Sequence, residues 1–180
     1  MSGKFLDNET KNKIRTRKRN RRVVKNAISK WVIGLLIVFV ILLNVFSHIL
    51  QIVNYSGDSM EPSIRNRQTL LLLKTQEIEK GDIIAFYFNN QILVRRVICD
   101  GGNQISVESD GTVLINAKPV EEDYLTAPSI GQCNITFPYL VPMEHLFVMG
   151  DNRAISMDSR LKEIGAVPMD RVIGKVLLAI

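Results

Sequence analysis

The chain has 180 residues, 46% of them hydrophobic, with 23 Lys+Arg, 18 Asp+Glu and a formal net charge of +5. That length excludes a multidomain enzyme, the apolar fraction excludes a disordered chain, and two cysteines exclude a disulfide-dense secreted scaffold. The charge is unevenly placed: residues 1–30 hold 11 Lys/Arg against 2 Asp/Glu, whereas the other 150 hold 12 against 16. The basic end therefore needs its own explanation.

From Trp31 to Gly57 there is no Asp, Glu, Lys or Arg, and Trp31–Ile52 reads WVIGLLIVFVILLNVFSHILQI. A helix of these 22 residues spans about 33 Å at ~1.5 Å per residue, enough to cross a bilayer core. The run is apolar on every face, unlike a soluble helix with one apolar stripe. It is too long for a signal-peptide core, and no small-x-small cleavage site follows it. A nucleic-acid arm would explain residues 11–25 but not their place against a membrane span, so no nucleic-acid partner is expected. The pattern predicts a basic cytoplasmic tail over 1–30, a transmembrane helix over 31–52 and an extracytoplasmic domain over 53–180. Lys/Arg bias puts the N-terminus inside, the topology of a single-pass type II membrane protein. The basic run also suits anionic headgroups of the lipid bilayer.

Beyond the span, short apolar and β-branched runs predict strands at Thr69–Lys74, Asp82–Phe88, Gln91–Cys99, Gln104–Glu108, Thr112–Ile115, His145–Met149 and Arg171–Ala179. Turn chemistry separates them at Lys80-Gly81, Asn89-Asn90, Asp100-Gly101-Gly102 and Asp110-Gly111, with Asn89-Asn90 marking a hairpin. Residues 117–142 carry Pro119, Pro128, Pro138 and Pro142 and read mostly as surface loop. The expected fold class is mostly β, with no long helix beyond the anchor.

Three stretches differ from ordinary strand-and-turn sequence: Gly57-Asp58-Ser59-Met60-Glu61-Pro62-Ser63, Val94-Arg95-Arg96-Val97-Ile98, and Gly150-Asp151-Asn152-Arg153 with Ser156-Met157-Asp158-Ser159-Arg160. This ordered set resembles the type I signal peptidases, membrane-anchored serine proteases that remove signal peptides from exported proteins. The likeness covers about residues 50–178, and the short outer domain is similar to the Gram-positive members. It implies a signal-peptidase-like β-fold domain with Ser59 as nucleophile and Ser156 as support of the base. It further implies a pairing of Arg96 with Asp151, a structural ion pair of Asp158 with Arg160, and walls of small substrate pockets at Met60, Ile64 and Val94. Core packing is the competing reading of those three apolar residues.

A serine hydroxyl is a poor nucleophile until a neighbour takes its proton. The two histidines offer no Ser-His-Asp helper, since His48 lies in the anchor and His145 precedes an apolar strand. The family uses a desolvated lysine instead, and here that position holds Arg95, whose guanidinium is not deprotonated in proteins. Three explanations stay open. Another lysine (Lys74, Lys80, Lys118 or Lys162) takes the role, although each reads as a surface residue. Alternatively Arg95 acts as a fixed charge while water or a backbone group takes the proton. Or the domain binds without cutting, as an assembly factor for pilins or sortase-substrate precursors. Gly57 stands where some members have a serine that helps hold the oxyanion, and glycine there also suits a plain turn. Cys99 and Cys133 would face an oxidising side, so a disulfide and two free thiols both stay open, the free thiols being favoured, and no His/Cys/Asp/Glu spacing suggests a metal or organic cofactor. The leading expectation is a serine endopeptidase acting on exported preproteins.

Overall fold

The computed structural model describes residues 8–180; residues 1–7 of the expected basic tail lie outside them. Among the described residues the chain divides between Ser47 and His48 into two compact units. The first is most of one helix, α1 (Asn8–Ile49), which takes in the expected basic tail from Asn8 onward. Its part from Ser29 to Ile49 is long and apolar enough to cross a membrane and buries no side chain within the chain.

The helix stops three residues short of the expected end. Leu50, Gln51 and Ile52 belong instead to strand β1 (Leu50–Asn54), paired antiparallel with β2 (Thr69–Leu73). Ile52 faces Leu71 and Leu50 faces Leu73, and the Lys74 N–H donates to the Ile49 carbonyl at 2.8 Å. A neighbouring strand that satisfies their backbone groups outweighs the local helical pattern.

The β unit continues with β3 (Ile83–Phe88), β4 (Gln91–Asp100), β5 (Gln104–Val107), β6 (Val113–Ile115), β7 (Lys118–Pro119), β8 (Tyr139–Leu140), β9 (His145–Met149), β10 (Val167–Pro168) and β11 (Val172–Ala179). The seven expected strands are all present, with ends shifted by a residue at most. Four were not foreseen: β1, hidden in the apolar run, and the two-residue strands β7, β8 and β10. All pairings are antiparallel, in a seven-stranded sheet of order β1-β2-β11-β3-β4-β9-β10 and a four-stranded sheet of order β7-β6-β5-β8. Asn89 and Asn90 close the β3–β4 hairpin at φ +44° and +62°, the left-handed pair that a two-residue turn of this hand requires.

β4 is the strand that positions the site. Its first half pairs with β3 and its second with β9, and a register shift falls between Val97 and Cys99. Consecutive strand residues point to opposite faces, so Arg95 and Arg96 must serve different partners. Beneath Val94 lies one apolar cluster of Tyr55, Met60, Ile64, Leu70, Leu72 and Ala85. Cys99 and Phe147 anchor a second, and Ile84, Phe86 and Val148 a third. Cys99 and Cys133 are free, and burial pushes the Cys99 thiol up to about 12.

Candidate active site

Ser59 sits in a tight turn directly before a buried methionine. The Ile64 N–H closes the turn on the Met60 carbonyl at 2.9 Å, which tucks Met60 and Ile64 inward and leaves Ser59 half-buried at the surface. Gly57 precedes it at φ +131°, a conformation that L side chains rarely adopt. A Cβ there would meet nothing nearer than the Tyr55 hydroxyl at 3.9 Å. Backbone conformation, not crowding, therefore explains this glycine. The Ser59 N–H donates to no group among the described residues, so it remains free for an oxyanion.

Two side chains meet the Ser59 hydroxyl. Arg95 donates to Oγ from Nη1 at 2.9 Å, and the Tyr55 hydroxyl lies 3.0 Å away. Arg95 is 5% exposed, with Nε held by the Met157 carbonyl at 2.9 Å and Nη1 also by the Val94 carbonyl at 2.5 Å. Burial pulls its guanidinium below the ordinary value, while the charges of Asp158 and Tyr55 resist. It remains a cation and a donor at neutral pH, so it cannot accept the Ser59 proton.

The support expected from Ser156 is not made: its Oγ is fully buried and has no hydrogen-bond partner. Arg95 reaches past it to its neighbour, the carbonyl of Met157. The longer, forked side chain spends its donors on Ser59 and on two backbone carbonyls. Lys74, Lys80, Lys118 and Lys162 are all exposed, and none bonds Ser59. His145 lies against the Met143 carbonyl at 2.8 Å.

On the other face of β4, Arg96 forks onto Asp151 with Nε–Oδ1 2.8 Å and Nη2–Oδ2 2.5 Å. It also donates to Gly81 O and Ser63 Oγ and lies 4.0 Å over the Tyr124 ring. Burial opposes its charge. The Asp151 hydrogen bond and charge, with Tyr124 and Glu122, outweigh that and hold the guanidinium above its ordinary value. Asp158 and Arg160 form a second fork, buried on both sides, at 2.8 and 2.7 Å. Asp158 also takes the Gly150 N–H at 3.0 Å, and the Asn152 N–H donates to the Ser59 carbonyl at 3.0 Å. The loop from Gly150 to Arg160 thus clamps the turn that carries Ser59.

The profile of the signal peptidase, peptidase S26, family matches residues 28–180. This chain belongs to that family. Signal peptidase IB of Staphylococcus aureus strain COL is 29% identical over 174 residues, 85% of this chain and 89% of that protein. Signal peptidase I S of Bacillus subtilis strain 168 is 32% identical over 148 residues, 76% of this chain and 80% of that protein. A crystal structure of a signal peptidase I from Enterococcus faecalis V583 aligns with 57% of this chain and 97% of its own, at 32% identity and a TM-score of 0.48. The family and the apolar helix together make this a membrane-anchored member of the signal peptidases.

For the residues expected as pocket walls, burial favours the core-packing reading in this signal peptidase homologue. Met60, Ile64 and Val94 are 0–2% exposed and pack in the core around Tyr55, because their turn and strand point them inward. The groove beside Arg95, about 370 Å³, is lined instead by Phe88, Asn89, Gln91, Leu93, Ile155 and Met157. A second cavity of about 430 Å³ lies beyond Glu61 and Pro62 and reaches Asp151 and Arg153. Two residues were missed from sequence. Glu122 rises from the proline-rich loop to take Arg153 in a fork of 3.0 and 2.6 Å, and nothing in its local sequence marks it. Tyr55 carried one signal, an aromatic four residues before the serine.

Proposed function

We propose that this chain is a membrane-bound serine endopeptidase of the signal peptidase I type that removes signal peptides from exported preproteins. Ser59 is its nucleophile, and the Ser59 N–H holds the oxyanion. The domain 53–180 lies outside and the basic residues inside, so the groove beside Arg95 meets signal peptides at the outer membrane surface. Its apolar walls, Leu93, Ile155 and Met157, suit small uncharged side chains before the cut. Arg96, Asp151, Asp158 and Arg160 hold the scaffold, and Arg95 takes the position of the base without its chemistry. The single observation carrying this reading is the Ser59 hydroxyl, half-buried between two polar side chains at 2.9 and 3.0 Å beside an open groove.

A second reading, binding without cleavage, is favoured by the Arg95 donor aimed at Ser59. None of the relatives named above is described as a pilus-assembly factor. The test is cleavage of a reporter preprotein by membranes carrying the chain or its Ser59→Ala form. Cleavage lost in Ser59→Ala supports the peptidase. No cleavage by the unaltered chain, with signal-peptide binding retained, supports the binder.

A further inference from the structure

Among the described residues three arginines are buried, Arg95, Arg153 and Arg160. Arg153 forks onto Glu122 and Arg160 onto Asp158. Arg95, 5% exposed, makes no ion pair among the described residues. The charge of Asp158 is felt at Arg95, but the Asp158 oxygens are spent on Arg160 and on the Gly150 N–H. A buried cation without a counter-ion is costly, so an anion that reaches it is favoured. Nε and Nη1 are spent on Met157 O, Val94 O and Ser59 Oγ, whereas Nη2 has no partner among the described residues. Nor is Nη2 sealed in, since Ser156 Oγ alone is a buried side-chain polar atom without a partner there.

Ser59 adds donors beside it. Its N–H is free among the described residues. Ser59 Oγ accepts Arg95 Nη1–H, the Tyr55 hydroxyl accepts the Met60 N–H, and the two hydroxyls share one hydrogen bond. Whichever of them donates, the other's proton is left over. Arg95 also lines the groove of about 370 Å³, whose walls include Phe88, Leu93, Ile155 and Met157 and no Asp or Glu. The corner therefore offers a cation and spare donors at the end of an apolar channel.

We propose that this corner is a receptor for the free C-terminal carboxylate of a peptide, held by Arg95 Nη2 and the Ser59 donors, with the uncharged residues before it along the apolar walls. A planar guanidinium matches a carboxylate in shape and charge. An uncut chain presents a neutral amide at this point and a cut one presents the anion, so the site distinguishes the two. The natural occupant, resting on the peptidase reading above, is the signal peptide just released. Hydrolysis of the Ser59 ester leaves a carboxylate in place, with one water proton on Ser59 Oγ and the other lost to solvent. The product is thus retained by the residue that stands where the family has its base.

The test titrates the full-length chain in detergent, by calorimetry, with a short N-acetylated peptide of leucine and alanine ending in alanine. The peptide is supplied as the free acid and as the C-terminal amide. Hydrogen bonds to a charged group make the acid bind about 10-fold tighter or more than the amide. Arg95→Gln, which keeps a neutral donor, should bring the two affinities within about twofold, and undiminished amide binding shows that its groove is folded. The comparison of acid with amide on the unaltered chain needs no variant. Equal affinities there overturn the receptor, and so does an acid preference that survives Arg95→Gln. Displacement of the acid by inorganic phosphate at equal concentration would mean a bare anion site and overturn the peptide as occupant. The free acid, but not the amide, should also slow cleavage of a reporter preprotein. Selective binding of the acid by a chain that cuts no reporter sinks the peptidase reading, and the signal peptide as occupant with it, but leaves the receptor. Cleavage by a chain that binds acid and amide alike sinks only the receptor.

Discussion

Replacing Arg95 with lysine probes the site at its one chemical anomaly. Arg95 makes three hydrogen bonds, to Met157 O at 2.9 Å, Val94 O at 2.5 Å and Ser59 Oγ at 2.9 Å. A lysine ammonium has three donors, and the unpartnered Ser156 Oγ, one residue before the Met157 carbonyl that Arg95 holds, is the acceptor the family resemblance assigns to it. Surrendering one charged hydrogen bond costs about 1.5–3 kcal/mol, and giving Ser156 a partner recovers about 1–3. Stability should thus change by no more than about 2 kcal/mol, read from chemical denaturation. The burial that pulls Arg95 below its ordinary value acts on an amine too, and lysine is the side chain whose buried form loses its proton most readily. Preprotein cleavage should rise by roughly 10²-fold or more, following the contribution of a positioned base. The working form is the neutral amine, so the gained activity must increase with pH through the amine's titration. Stability of this variant should also rise with pH, since the unfolded chain binds the extra proton. A folded Arg95→Lys protein with unchanged cleavage, or a gain unaffected by Ser156→Ala, would refute the reasoning.

The remaining predictions concern the scaffold. Asp151→Ala leaves the Arg96 guanidinium, 12% exposed, without its partner. Breaking a buried pair costs roughly 3–5 kcal/mol, and the contacts to Gly81, Ser63 and Tyr124 place this one near the lower end, measurable by urea denaturation. Gly150→Ala drives a Cβ to 2.1 Å from Ser156 Oγ and 2.6 Å from the Ser59 carbonyl. It should cost about 1–3 kcal/mol or more and displace Ser59, so thermal stability and, on the proposed reading, Ser59 acylation fall together. The Cys99 thiol, raised from 9.0 to about 12 by burial, should resist alkylation at neutral pH. Because its folded pKa is raised, the stability it contributes is full below about pH 9 and is lost as pH climbs towards about 12. Cys99→Ala should flatten that segment of a denaturation-against-pH curve.

What the sequence determined by itself was whatever short-range chemistry writes. An uncharged run long enough for a bilayer, flanked by 11 basic residues, needs no tertiary context. Alternation set most strands, and Asn89-Asn90 set the hairpin, because a left-handed pair of turn residues is a local requirement. Ser59, Arg95 and the pairs Arg96–Asp151 and Asp158–Arg160 were legible as motifs. Tertiary structure alone decided where the helix ends, because Leu50–Ile52 take their hydrogen bonds from a strand some twenty residues away. It also decided that Met60, Ile64 and Val94 are core, since the direction of a side chain depends on which sheet covers it. A separation of 31 residues hid the pairing of Glu122 with Arg153, and only the fold shows Ser156 Oγ buried without a partner. Tyr55 belongs to this second group. A tyrosine at the end of a strand is ordinary, and only the fold of the following turn brings its hydroxyl to 3.0 Å from the serine oxygen.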